Sequence, residues 1–459
     1  MRARRGATRR HAEAPDLVPG EIARLLQVGF QGGRKKAQLE LAPLRWDGAS
    51  RELLLARKLT VRLALEGRVV EGRGRRPRGR GIAARLVTTE AGLYEVRYEE
   101  LFGNRRAKSN DGLRLSRQGE VVAIHLEPAG RRFGPGSKLY FWSEGPSANP
   151  YGNELVYELE LASGGMTMAL GSAAPSGDPV GRYLATASYE ENRYYQAALL
   201  DAEDVWLWDV LLAPVTKSFS FQVTDLAAGP SRLTAWLQGV SDFAAEADHH
   251  VRLYVNGVVL GETSWDGKNG ERIAIEVPEG LLVEGDNRLE IENVGDTDAP
   301  YSMVMLDRFE LVYPRLSIAS GGRIEGLWAQ SGTATVAGLG PAHVLDVTEA
   351  DPRWLGGART SGDGTLGFRV EEGHRYLAIS RQNVGRPVVR RVARPRLEIE
   401  TLRADYLVIG PSELSAAAAP LIHHRRRQGL TVKFASTEDI YSEFGFGEAR
   451  PEAIRDFLS

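Results

Sequence analysis

Cysteine is missing from all 459 residues, which removes a disulfide framework, a thiolate metal site and any cysteine nucleophile from the chain as it stands. No stretch approaches the ~18 consecutive apolar residues that a membrane helix needs. The basic opening MRARRGATRRHAEAPDLVPG has no apolar run behind it, so neither a membrane span nor a leader peptide is expected in the chain. Excess charge is lacking too: 58 Lys+Arg stand against 60 Asp+Glu, a formal net charge of −2, which argues against a polyanion-binding protein taken whole. The balance hides an asymmetry, with 30 basic against 16 acidic residues in 1–150 and 28 against 44 in the remainder. G-x-S-x-G, P-loop and paired metal-ligand spacings are likewise missing.

What the chain has in quantity is glycine, 51 residues, against about 7% in ordinary proteins. Glycine takes positive φ cheaply and serves turn-rich, helix-poor chains, so a mostly β protein is expected. At about 150 residues per domain the length implies about three domains. Residues 1–163 read as a basic N-terminal β region, its later strands lying in GLYEVRYEELF (92–102), LRLSRQGEVVAIHLEP (113–128), SKLYFWSEG (137–145) and NELVYELEL (153–161). Inside it the Arg-Gly run EGRGRRPRGRG (71–81) has no apolar residue to bury and is expected to be a mobile loop. It carries no aromatic for base stacking, so no nucleic-acid partner is expected. The small-residue stretch 164–183 reads as a linker.

Residues 184–315 hold seven or more alternating segments with turn signals every 8–12 residues, the pattern of a β-sandwich. Within them Asn256-Gly257 supplies the positive φ pair of a type I′ hairpin. Weaker strands over 316–400 read as a second, smaller β domain, in which SGDGTLGF (361–368) is a hairpin turn rather than a phosphate cradle, since no helix follows it. At residue 404 the grammar changes: ADYLVIG (404–410) is a buried strand, and Pro411-Ser412 starts a helix whose apolar face holds Leu414, Ala417, Ala418, Leu421 and Ile422. Gly429 stops that helix and TVKFA (431–435) is a second strand. Strand, helix, strand over ~30 residues is the βαβ unit of a parallel sheet, and a further helix opens at Pro451.

Candidate chemistry is sparse. Asp242, Asp248, His249 and His250 form the densest polar cluster, but consecutive histidines opening a strand point to opposite faces and do not readily share one ion. His423 and His424 lie with Arg425, Arg426 and Arg427 at a helix C-terminus, where cations suit the dipole, and solvation is favoured over ligation. Asp201, Glu203, Asp204 and Asp209 flank Trp206 and Trp208, a grouping that stacks on and hydrogen-bonds a pyranose in sugar-binding sandwiches; core packing of the tryptophans is favoured here. No residue is assigned a catalytic, cofactor-binding or metal-binding role, and no cofactor is evident.

The last sixty residues carry a more specific pattern. Residues 405–409, 427–430, Val432, 439–444, Gly447 and 453–458 resemble the opening of the gingipain-type cysteine peptidase domain, a caspase-like α/β fold: a DYLVI strand, a helix ending R-x-x-G-L, a DIY-x-E-F-x-x-G turn and an A-I-R-x-F-L helix. The upstream order, with GLYEVRYEELF, VNG and GDNRLEIEN, is similar to the N-terminal half of large secreted peptidases of this family. The resemblance implies a multidomain, mainly β chain of β-sandwiches followed by the incomplete start of a caspase-like α/β domain at 401–459. It implies a secreted or cell-surface endopeptidase acting on protein or peptide substrates, with calcium as a possible cofactor of the family. The family's catalytic histidine and cysteine lie downstream of the A-I-R-x-F-L helix, and none of the eight histidines matches that motif. This chain is therefore expected to be the non-catalytic N-terminal part. The rival reading is a multi-sandwich surface adhesin or glycan-binding protein without enzymatic activity.

Overall fold

The computed structural model describes residues 82–145, 152–196, 205–244, 246–392 and 404–458, and further towards the N-terminus the strands Leu17–Val18, Ala23–Gln31, Arg34–Leu41, Leu44–Asp47 and Glu52–Leu55 with residues 42–43, 50–51 and 56. The Arg-Gly loop 71–81 and the carboxylates of Asp201, Glu203 and Asp204 lie outside the described residues. The chain forms two compact units, residues 1–78 with 197–202, and residues 79–196 with 203–459. In the first, Ala23–Gln31 and Arg34–Leu41 make an antiparallel hairpin, and Leu17–Val18, Leu44–Asp47 and Glu52–Leu55 make a three-stranded sheet.

The larger unit begins with an antiparallel sheet in the order Val388–Arg390, Ile82–Thr88, Leu155–Glu160, Arg114–Arg117, Glu120–Glu127, Lys138–Glu144 and Ala91–Arg97. Both of its faces are buried. Leu86, Val96, Leu115, Phe133, Phe141 and Tyr157 fill one core; Leu93, Ala123 and Tyr140 point the other way, into a second core shared with Leu345, Trp354 and Leu377. The hairpin within 113–128 turns at Gln118 and Gly119, with φ of +50° and +90°. The segment 92–102 departs from the all-strand expectation: its strand ends at Arg97 and helix α1 (Tyr98–Phe102) follows. The Glu100 carboxylate accepts from the Arg97 backbone N–H at 2.7 Å, half of a capping box that an alternation count does not see.

A ten-stranded sheet dominates the rest. Its order is Leu170–Ser172, Arg353–Gly356, Ala342–Asp346, Arg375–Ser380, Arg323–Leu327, Arg182–Glu190, Met303–Leu316, Ser231–Gly239 and Gly270–Val277, with Asp209–Leu212 also pairing Met303–Leu316. Two four-stranded sheets cover one face. One runs Val215–Val223, Gly285–Asn293, His249–Val255, Val258–Trp265 and the other Pro179–Val180, Gly332–Val336, Leu366–Val370, Arg359–Thr360. The sandwich at 184–315 is thus present, with Asn256 and Gly257 at φ +49° and +81° in the expected hairpin. Two expected boundaries are not. The stretch 164–183 is no free linker, because Met166–Thr167, Leu170–Ser172 and Pro179–Val180 each add to a different sheet. Nor does the chain part at residue 315, since one core runs from Ala173 through Phe309 to Ala378. Of the strands after 316, Arg323–Leu327 and Ala342–Asp346 extend the ten-stranded sheet and Gly332–Val336 joins the second four-stranded sheet, and Trp328, Val336, Val344 and Phe368 pack into the same core.

The C-terminal segment is α/β. Tyr406–Gly410 and Val432–Ser436 pair in parallel, Tyr406 opposite Val432. After a 3₁₀ turn at Ser412–Leu414 comes α2 (Ser415–Arg427), stopped by Gly429 at φ +85°. The helices α3 (Thr437–Phe444) and α4 (Pro451–Phe457) follow the second strand. The stretch at 439–444, expected as a turn, is helical because the Ser436 hydroxyl caps it, accepting from the Asp439 N–H at 3.1 Å. The expected apolar face of α2 holds no buried residue, and Leu421 is 42% exposed. A small core of Ala435, Ile440 and Ala453, with Leu407, Ile409 and Phe457 against it, holds the segment together.

Candidate functional site

The C-terminal α/β segment is fastened to the N-terminal sheet by two buried polar clamps. The first grows from a cross-strand pair. Register places Arg85 directly opposite Glu158, and the two side chains meet at 3.0 Å with Glu158 1% exposed. The guanidinium has donors left, and it spends them on α3: Nη1 donates to Ser442 Oγ at 2.9 Å and Nη2 to the Ser442 carbonyl at 2.6 Å. In the second clamp, Glu448 reaches back from the loop after α3. Its carboxylate accepts from the Val156 backbone N–H at 3.2 Å and from Gln118 Nε2 at 2.9 Å, with Arg117 Nε 3.9 Å away. A buried carboxylate needs such donors, since its ionised form is costly to strip of water.

Gly447 sits between the clamps at φ +90°, and a Cβ there would lie 3.1 Å from Arg85 Cδ. The left-handed backbone favours glycine here, and a larger residue would push the Arg85 side chain aside by a few tenths of an ångström. A cavity of about 240 Å³ opens beside the clamp, lined by Arg85, Ser442, Gly447, Glu438, Asp439 and Arg390. At its rim Arg390 makes a two-pronged ion pair with Glu154, at 2.6 and 2.8 Å, which holds the Glu154 carboxyl below its usual range. The arrangement orients α3 and the loop after it against the sheet.

Sequence reasoning missed Arg85, Glu158, Gln118 and Glu448. The alternation of LVYELEL assigns Glu158 to solvent, whereas it is 1% exposed and paired with Arg85, which reaches α3. The available signal was an arginine inside the otherwise apolar run IAARLVT, since a charge in a buried strand implies a partner.

The histidine and tryptophan candidates resolve as follows. His249 and His250 face opposite ways, as strand alternation dictates. His249 is buried, its Nδ1 2.8 Å from Ser302 Oγ and its Nε2 3.1 Å from the Gly267 carbonyl, and burial pushes its pKa down. His250 pairs with Asp296 at 2.7 Å. The Asp248 carboxylate accepts from the backbone N–H groups of Phe243 and Gly267, so the cluster is occupied by the fold. Among the described residues no group of three or more His, Asp or Glu side chains is placed to hold a metal ion. His423 and His424 are solvent-exposed on α2. Trp208 is core, packed on Phe219 and Phe309 at 5.0 and 5.7 Å. Leu207 is buried as well, because the chain changes partners here: Leu207 pairs with Tyr194, and the Trp208 N–H donates to the Leu306 carbonyl. Trp206 is half-buried against Tyr195, and Asp209 is tied to Lys217 at 2.6 Å.

Residues 399–459, which contain both α3 and the Glu448 loop, match the family model of peptidase family C25. The gingipain-type likeness is borne out. The fold agrees over a wider span: a crystal structure of dimeric latent PorU from Porphyromonas gingivalis superposes with a TM-score of 0.53 at 15% identity, covering 82% of this chain and 39% of that one. This chain thus spans well under half the length of that protein. Two carbohydrate-binding modules also match short stretches at 16% identity and TM-scores of 0.18. They are CBM36 in complex with calcium and xylotriose, 29% of this chain and 99% of that one, and TmCBM61 in complex with beta-1,4-galactotriose, 29% and 88%. No curated protein matches the sequence. The clamp residues Ser442 and Gly447 fall inside the C25 match, while Arg85, Glu158 and Gln118 fall outside it.

Proposed function

We propose that this chain is the N-terminal, non-catalytic part of a gingipain-like secreted cysteine endopeptidase, whose β domains seat the first strand, helix and strand of the peptidase domain. In this reading proteolysis belongs to a Cys–His dyad downstream of residue 459, and the substrates are proteins or peptides met outside the cell. The observation that carries it is the coincidence of the C25 match with the α/β segment that Arg85 and Glu448 clamp to the N-terminal sheet. A chain without cysteine cannot supply the thiolate that such a reaction needs. The PorU-like fold over most of the chain supports the same placement. Reading the coding sequence past Ser459 tests it: a His-Gly codon pair followed by a cysteine codon within a few hundred codons is expected. A stop codon immediately after Ser459 would contradict the proposal.

A further inference from the structure

We propose that a hollow on the ten-stranded sheet, remote from the peptidase reading and independent of it, binds a small tetrahedral oxyanion, a phosphate or sulfate group either free or borne on an ester. The hollow encloses about 260 Å³ and is lined by Thr186, Arg315, Ser320, Arg323, Glu325 and Arg375, among others. Four adjacent strands of the sheet, Arg375–Ser380, Arg323–Leu327, Arg182–Glu190 and Met303–Leu316, supply Arg375, Arg323, Thr186 and Arg315.

Each guanidinium is already oriented. Arg375 Nη2 donates to Thr186 Oγ1 at 3.1 Å, and Arg315 is held by Asp225 at 2.7 and 3.2 Å. Arg323 Nη2 donates to Glu325 at 2.5 Å, and the other oxygen of that carboxylate lies 3.9 Å from Arg375 Nε. Glu325 thus shows where an anionic oxygen sits between two arginines, yet Arg375 Nε is buried without a hydrogen-bond partner. Three guanidiniums face two carboxylates, leaving one positive charge and several N–H donors uncommitted. The side chains of Arg323 and Arg375 are 39% and 38% exposed, so a solute can reach them. The hollow is smaller than the roughly 300 Å³ at which drug-sized sites begin, which favours a small group. A planar carboxylate engages one arginine fork, whereas forks from three strands suit an anion that offers oxygens in several directions.

Titration calorimetry on the whole 459-residue chain tests this, with inorganic phosphate, inorganic sulfate and methyl phosphate as ligands and chloride at matched ionic strength as blank. Saturable millimolar binding of phosphate and sulfate is expected, weakened roughly tenfold by Arg323→Gln or Arg375→Gln. Glu325→Gln, which removes the competing carboxylate, is expected to tighten it several-fold, an effect that a misfolded variant cannot mimic. Methyl phosphate binding as well as phosphate assigns the site to esters; weaker binding assigns it to the free ion. No saturable signal beyond chloride, or affinities unchanged in both arginine variants, would overturn the proposal.

Discussion

Arg85 is the residue on which the seating of the C-terminal segment turns, because one guanidinium serves a buried carboxylate on the neighbouring strand and the Ser442 hydroxyl and carbonyl on α3. Arg85→Ala removes one partner of the buried Arg85–Glu158 ion pair, a change that typically costs about 3–5 kcal/mol; urea unfolding should show it, and the added change Glu158→Gln should restore part of the loss. A destabilisation no larger than that of a surface arginine would refute the clamp. His343 makes a second residue-scale case. It is 7% exposed, packed between Tyr140 and Trp354 at 5.2 and 4.8 Å. Burial pushes its pKa from 6.5 down to about 4, opposed by Glu127 and Glu95 and reinforced by Arg381 and Lys138. The folded state therefore resists a proton that the unfolded chain accepts. Its contribution is complete above pH 6.5 and declines as pH falls from 6.5 to about 4, by on the order of 3 kcal/mol. Urea midpoints measured between pH 7.5 and 4.5 should fall more steeply for the native chain than for His343→Phe, and parallel curves would refute this.

Among the elements, the C-terminal strands should be the least protected. Tyr406–Gly410 is only half-buried along its whole length, whereas Val251, Leu253 and Val255 of the strand His249–Val255 are fully buried. Hydrogen exchange should find the amides of residues 407–409 faster than those of 253–255, since opening is cheap where few apolar contacts must break. Equal protection would mean that the segment is a complete domain in itself. Val432 of the partner strand is buried, at 3% exposed. The strands themselves were legible: alternation located those of the sandwich, Asn256-Gly257 its hairpin, and the DYLVI run the parallel pair. Three things were not. Helix α1 depends on the Glu100 cap rather than on periodicity, Glu158 sits on what alternation marks as the wet face, and the clamp joins residues more than 290 positions apart. Pairings of that range leave no trace in local spacing.

At the largest scale, the sheet topology over residues 164–392 replaces a linker and two separate β domains with a continuous sandwich. A fragment cut at 184–315 would lose Tyr183 and Trp328, which stack at 5.2 Å, and strip the remainder of the strand Arg182–Glu190 of its neighbour Arg323–Leu327. It should unfold without a cooperative transition, whereas residues 164–392, which keep the core from Ala173 to Ala378, should melt as one. A sharp transition for the shorter piece alone would restore the boundary at 315. If, as proposed, this β assembly seats the opening of a peptidase domain whose dyad lies downstream, labelling with an electrophilic thiol-directed peptidase probe distinguishes the 459-residue chain from the longer product. The 459-residue chain is expected to take up no probe and to cleave no peptide, while the product of the gene read beyond residue 459 takes up one equivalent. Hydrolysis by the 459-residue chain, or no labelling of the longer product, would contradict the account.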